Sequence, residues 1–325
     1  MSKDKPFCSI NNMLDIKPSE AERFRTDYLY PKYWITWIVL ILSFFINILP
    51  NSFRASIGSK VGNILYRTNE KRRQIALSNL SLCFKNKSEE EIDLITRKYF
   101  QNLGRSFLDM SILWWRSSNS LRESCHVENI ELLEQSLEKG KGVILLTVHS
   151  TSLDFGGRSI SNYPVISMYK PFRNKFINWL IGRSRCKIDD NAVIFSRDNF
   201  PFKTLVKILK KPNIFYFIGD EDLSPKESEF ADFFDDRKAT LLTIRKLARL
   251  TDCTIIPCIN IYEKKSGKYV TYLDNPIMDF PTDSSSKDAR TINICFERLI
   301  SRKVSQYMWS LRIFQNREKG KNYPY

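Results

Sequence analysis

Two hydrophobic rhythms divide the chain. Ser88 opens Ser-Glu-Glu-Glu, a capping box with Glu91 three residues on, and apolar side chains then recur at helical spacing through Ile92, Ile95, Tyr99, Phe100, Leu103, Phe107 and Leu108 toward Trp115. This predicts one long helix. Beyond it the apolar positions fall into short runs at 142–148, 164–169, 192–195, 214–218 and 254–261. Runs of that length entered from Gly or Pro suit buried strands. Stretches of helical spacing lie between or after them at 174–183, 202–211 and 239–250, with an edge strand expected at 268–273 and a last helix at 287–303. Strands alternating with helices predict an α/β fold whose mixed, mostly parallel sheet is flanked by helices. Ligands of such sheets sit beyond the carboxyl ends of the strands.

One segment breaks the pattern. Residues 33–49 read YWITWIVLILSFFINIL, without a charge, and Pro50 closes them. At 1.5 Å per residue the run spans roughly 25 Å, and Tyr28, Tyr30, Tyr33, Trp34 and Trp37 cluster at its leading end as interfacial anchors do. The expected organisation is a polar segment at 1–32, a membrane anchor at 33–50 and one catalytic domain at 51–325. Charge changes the picture further. A formal net charge of +15 over 325 residues favours an anionic partner: nucleic acid, a membrane face or an acidic protein. The seven cysteines are scattered, with no C-x-x-C pair, and with two histidines no metal site is expected.

His149 follows directly on the 142–148 run, and Asp154 comes five residues later in HSTSLD. Five residues turn a continuous helix by about 140°, so the two would not share a helix face. At a strand end and in the first turn of the next helix they can face each other across a loop. A carboxylate there would hold one imidazole nitrogen and leave the other to accept a proton. The bland alternative is a helix-capping Asp beside a loop histidine. The chain has no G-x-S-x-G elbow, no G-x-x-x-x-G-K-S/T loop and no G-x-G-x-x-G fingerprint. A base without a protein nucleophile fits direct transfer to a hydroxyl that the substrate brings.

HSTSLD resembles the H-x-x-x-x-D/E motif shared by glycerolipid and lipid A acyltransferases. Further blocks resemble the late lipid A biosynthesis acyltransferases: RRQIALSNLSLCF (72–84), YKPFRN (169–174), FSRD (195–198), DEDLSP (220–225), SEFADFFDDRKATL (228–241), Ile256-Pro257 and QYMWSLRIFQNR (306–317). Together they cover roughly residues 33–320. Lys85 stands where the family usually has proline, and Lys170 where it usually has arginine; lysine keeps the charge but loses bidentate geometry toward phosphate. Asp154, with the blocks at 220–225 and 228–241, looks most like the myristoyltransferase branch, which adds the second secondary chain.

The resemblance implies a glycerolipid-acyltransferase-like α/β fold and transfer of a fatty acyl chain from acyl carrier protein to a hydroxyl on a Kdo-lipid A precursor. It implies no cofactor, His149 and Asp154 as the catalytic pair, and substrate contacts from Lys170, Arg173, Arg197, Asp220, Glu221 and Asp222. It places the anchor in the bacterial inner membrane with the catalytic domain on the cytoplasmic face. Between residues 166 and 211, eleven Lys/Arg oppose three Asp, a basic surface suited to lipid phosphates, the acidic carrier protein and anionic headgroups. Nothing resembles a nucleic-acid module. Three other readings stay open: a first-step lauroyl-type enzyme, a glycerophospholipid acyltransferase, and a non-catalytic basic protein that binds membranes.

Overall fold

A computed structural model describes residues 24–186, 192–197 and 202–325. Most of the expected polar segment, residues 1–23, and Asp198 of the FSRD block lie outside the described residues. A helical N-terminal part comes first: α1 (Trp34–Ile48), α2 (Asn51–Thr68), α3 (Glu70–Cys83), α4 (Glu89–Trp115) and α5 (Ser118–Ser124). The layered part follows as β1 (Cys125–Glu128), α6 (Ile130–Glu138), β2 (Val143–Thr147), α7 (Leu153–Ser159), β3 (Val165–Tyr169), α8 (Lys175–Cys186), β4 (Ala192–Ser196), α9 (Phe202–Leu209) and β5 (Ile214–Ile218). Then come β6 (Ser228–Phe233), β7 (Asp236–Leu241), α10 (Thr243–Thr251), β8 (Thr254–Glu263), β9 (Lys268–Leu273) and α11 (Ser285–Ser301).

Seven strands form one sheet in the order β1-β9-β8-β2-β5-β3-β4. Only the β8–β9 pairing is antiparallel, so the sheet is mostly parallel, as the alternation predicted. The chain steps outward from β2 to β3 and β4, and β5 then returns between β2 and β3. That reversal opens the sheet's carboxyl edge where the neighbouring connections diverge.

The run at β2 is apolar throughout because both its faces are covered. Ile144, Leu146 and Val148 enter the larger core with Phe100, Phe215, Phe296 and Trp309, whereas Val143 and Leu145 enter a second core with Leu133, Ile214 and Ile256. Alternate side chains of a strand point to opposite faces, so only a continuously apolar run fits a sheet with helices on both sides.

The capping box of α4 forms as expected: the Ser88 backbone N–H donates to Glu91 Oε2 at 3.0 Å, and the Glu91 N–H donates to Ser88 Oγ at 3.3 Å. Helix α2 lies against α4 at backbone contact distance. A Cβ on Gly62 would come within 2.2 Å of the Phe100 carbonyl oxygen, and one on Gly104 within 2.3 Å of the Gly58 carbonyl oxygen.

Two expectations are corrected. The predicted helix at 239–250 begins only at Thr243; residues 236–241 are strand β7, paired antiparallel with β6 in a separate two-stranded sheet. The segment at 268–273 is a strand but not the edge, because β1 pairs outside it. The apolar segment expected as an anchor forms α1, and the helical stretch Pro31–Ile48, 18 residues, is by length and composition long and apolar enough to cross a membrane. Most of its apolar side chains, Ile35, Ile38, Ile41 and Phe45 among them, are exposed. Leu40 and Ser43 are buried, and Ser43 accepts a hydrogen bond from Trp115 Nε1 at 2.7 Å.

Candidate active site

The central pair of strands brings the chemistry together. β2 and β5 run parallel in a register that matches Thr147 with Ile218. Two residues further on, His149 and Asp220 therefore leave the sheet side by side. The Gly219 N–H donates to the Thr147 carbonyl at 3.0 Å, carrying the pairing one step past β5. A Cβ on Gly219 would meet Leu146 Cδ1 at 2.9 Å, so a small residue suits this close passage. Asp220 then accepts two hydrogen bonds from His149: from the backbone N–H to Oδ2 at 3.0 Å and from the ring at Nδ1 to Oδ1 at 2.7 Å.

This corrects the expected partner. Asp154 does sit in the first turn of α7, but its Oδ1 is 2.6 Å from Nε of Arg185 on α8, and the acid on the His149 ring is Asp220. A five-residue loop can bring two side chains near each other, but two adjacent parallel strands impose closer and more rigid proximity. Arg185 went unnoticed in the sequence because nothing local connects α8 with α7.

The electrostatics follow from this geometry. Burial pushes the His149 imidazole down. The Asp220 charge and hydrogen bond, with a further contribution from Glu221, outweigh it and hold the imidazole above its ordinary range. Burial pushes Asp220 up in turn, and the His149 contacts bring it below the usual carboxylate range. Asp220 is itself fully buried. The other ring nitrogen, Nε2, lies 3.8 Å from Glu221 Oε1, and Glu221 Oε2 is 3.2 Å from Arg197 NH1.

The closing block clamps the histidine loop. Met308 N–H donates to the His149 carbonyl at 2.8 Å, and Thr151 N–H donates to the Gln306 carbonyl at 2.8 Å. The Gln306 amide exchanges two hydrogen bonds with the Tyr262 backbone, both at 2.9 Å. The earlier block reaches the same segment, since Asn79 Nδ2 donates to the Trp309 carbonyl at 2.7 Å and Arg72 NH1 to the Ser310 carbonyl at 2.9 Å. Blocks more than 200 residues apart in sequence thus hold one loop in place.

His149, Asp154, Arg185 and Glu221 line a cavity of about 450 Å³. Leu153, Val165, Met168, Phe217, Ile218 and Leu241 add apolar wall to it. Of the expected substrate contacts, Lys170, Arg197 and Glu221 line this cavity, and Asp220 sits behind His149. Arg173 is exposed and is not part of the lining. Asp222 turns inward, accepts from the Asn316 N–H at 2.6 Å and from its side-chain amide, and is held above the usual carboxylate range by burial. Three consecutive acids therefore have three different surroundings. Among the described residues no group of His, Cys, Asp and Glu is arranged to hold a metal ion.

The site therefore sets a histidine–carboxylate pair beside a partly apolar cavity at the carboxyl edge of a mostly parallel α/β sheet. The chain belongs to the bacterial lipid A biosynthesis acyltransferase family, which it matches over residues 21–316. It is 30% identical to lipid A biosynthesis acyltransferase 2 of Shigella flexneri, with 96% of this chain and 100% of the relative covered. It is 28% identical to the lipid A biosynthesis palmitoleoyltransferase of Escherichia coli K12 (92% of this chain, 97% of the relative). Against the myristoyltransferase of the same organism it is 25% identical (96% and 97%).

Proposed function

We propose that the protein transfers a fatty acyl chain, myristoyl by the branch features of its sequence, from acyl carrier protein to a hydroxyl of an acyl chain on a Kdo-lipid A precursor. The observation that carries the reaction type is His149, held through Nδ1 by a buried carboxylate while Nε2 faces the wall of an apolar cavity. Nε2 takes the acceptor hydroxyl's proton as its oxygen attacks the thioester carbonyl. The imidazolium then returns that proton to the departing thiolate. Asp220 keeps the ring oriented and stabilises its charged form, the role of the acid in a hydrolase triad.

Thr151 N–H is engaged with the Gln306 carbonyl and Ser152 N–H with Ser150 Oγ. Guanidinium donors on the cavity wall, Arg185 and Arg197, are assigned to the developing oxyanion. Asp154 holds Arg185 there, which keeps Asp154 within the catalytic set alongside His149. Lys170, Arg173, Arg197 and Glu221 serve substrate binding, the cations toward phosphates or the acidic carrier protein. The exposed apolar face of α1 seats the enzyme on the bacterial inner membrane, on the cytoplasmic side where the carrier protein is found.

Relatives named for palmitoleoyl and myristoyl transfer lie at similar identity, so chain length rests on the branch features alone. The deciding experiment supplies purified tetra-acylated and penta-acylated precursors with myristoyl carrier protein. The proposal expects acyl transfer that His149→Ala abolishes, with preference for the penta-acylated acceptor. Preference for the tetra-acylated lipid moves the enzyme to the lauroyl-type branch, and normal turnover by His149→Ala removes the mechanism.

A further inference from the structure

A second cavity, of about 270 Å³, lies at the elbow between α1 and α2 and shares no lining residue with the reaction cavity. Ile48, Leu49 and Pro50 form one side of it; Arg54, Arg116 and Ser124 supply polar wall. Its charge is unbalanced. Arg54 is 4% exposed and pairs with Asp109 at 2.8 Å, and Arg105 pairs with the other oxygen of the same fully buried carboxylate at 3.0 Å. Asp109 also accepts a hydrogen bond from the Tyr269 hydroxyl. Arg116, half-buried, donates to the neutral Asn47 amide oxygen at 3.0 Å, and among the described residues it forms no ion pair. Two guanidinium groups thus share the Asp109 carboxylate, and Arg116, beside them, has only the neutral Asn47 as a partner. Burial, and then the charge of Arg54, make the cationic form of Arg116 less favourable than usual.

A half-buried guanidinium without an ion pair, next to the buried Arg54, is a place that an anion would balance. The cavity's position selects the kind. Ile48 and Phe53, 65% and 62% exposed, flank the elbow, and the exposed apolar face of α1 continues from it. We propose that this elbow binds an anionic phospholipid, its phosphate between Arg54 and Arg116 and its acyl chains along α1. Guanidinium groups favour phosphate through paired, charge-assisted hydrogen bonds. The site would fix how α1 meets the membrane, apart from the acceptor lipid that undergoes reaction.

The test uses the full chain and flotation with phosphatidylcholine vesicles containing or lacking phosphatidylglycerol. Arg116→Gln should lose about tenfold in phosphatidylglycerol-dependent affinity, the scale of one charge-assisted contact. Lys98→Gln, an equal charge change on the exposed side of α4, should lose less than about twofold, the small effect typical of an exposed charge. Ser124→Asp places a negative charge on the cavity wall without removing an arginine, and should reproduce the Arg116→Gln loss. Equal losses for Arg116→Gln and Lys98→Gln would reduce the effect to diffuse surface charge and overturn the site. Melting curves with inorganic phosphate separate the two anion sources. Arg116-dependent stabilisation by phosphate, with vesicle affinity indifferent to Arg116, would overturn the lipid assignment. Acyl transfer in detergent should persist in Arg116→Gln, so failure here is distinguishable from failure of the proposed reaction.

Discussion

Asp220 holds His149 at two points, the ring nitrogen at 2.7 Å and the backbone N–H at 3.0 Å, so one buried carboxylate sets both the side chain and the loop that carries it. Asp220→Asn should therefore lower kcat by about two to four orders of magnitude with little change in KM, as loss of an orienting acid does. The pH profile gives the sharper check. His149 acts as a base only when neutral, and Asp220 raises its pKa, so wild-type activity should fall on the acid side through a pKa above the ordinary histidine value. With the carboxylate gone, burial dominates and the acid limb should move to lower pH. An unmoved limb would remove Asp220 from the mechanism.

Asp154 is predicted to behave differently, because its partner is Arg185 at 2.6 Å. Asp154→Asn should reduce turnover while leaving the acid limb where it is. Paired with Arg185→Gln it should prove non-additive, with a coupling of about 0.5–3 kcal/mol in a double-mutant cycle on kcat/KM. A limb shifted as far as in Asp220→Asn would restore Asp154 as the histidine's acid.

Asp222, expected from the sequence to meet substrate, instead fastens the C-terminal segment at Asn316. Asp222→Ala leaves the Asn316 N–H without its acceptor and should cost about 1–3 kcal/mol of stability in chemical denaturation. KM for both substrates should stay near the wild-type value in the protein that remains folded.

Gly62→Ala tests the helical platform under the site. Its new Cβ would meet the Phe100 carbonyl oxygen at 2.2 Å, and backbone cannot move aside as a flexible side chain can. Forcing α2 from α4 should cost about 1–3 kcal/mol or more, read as a lowered Tm. An unchanged Tm would mean that the two helices are not held this closely.

The exposed face of α1 can be altered without disturbing the side packed on the domain. Ile38, Ile41 and Phe45 are 55–60% exposed, so replacing all three with Ser should leave Tm within a few degrees. Membrane association should weaken substantially in fractionation of cells. Retention equal to wild type would assign binding to the basic surface alone.

Local pattern alone was enough for much of this protein. The apolar runs at β2, β3, β5 and β8, the capping box at Ser88, and His149 at a strand end were all legible, because strand burial and helix capping leave their marks within a few residues. The family blocks were legible for the same reason: each is a short, contiguous stretch. The strand Cys125–Glu128 was too short to register, and β7 was absorbed into the helical spacing of α10 just after it. The partners of the chemistry were beyond local reading altogether. His149 meets Asp220, 71 residues away, because β5 returns beside β2 in one particular register; Asp154 meets Arg185 because α7 and α8 pack together. Strand order and helix docking are settled by which faces bury against which, a property of the whole chain. The candidate histidine, His149, was therefore visible in sequence, while the carboxylate on its ring, Asp220, was decided by the tertiary structure.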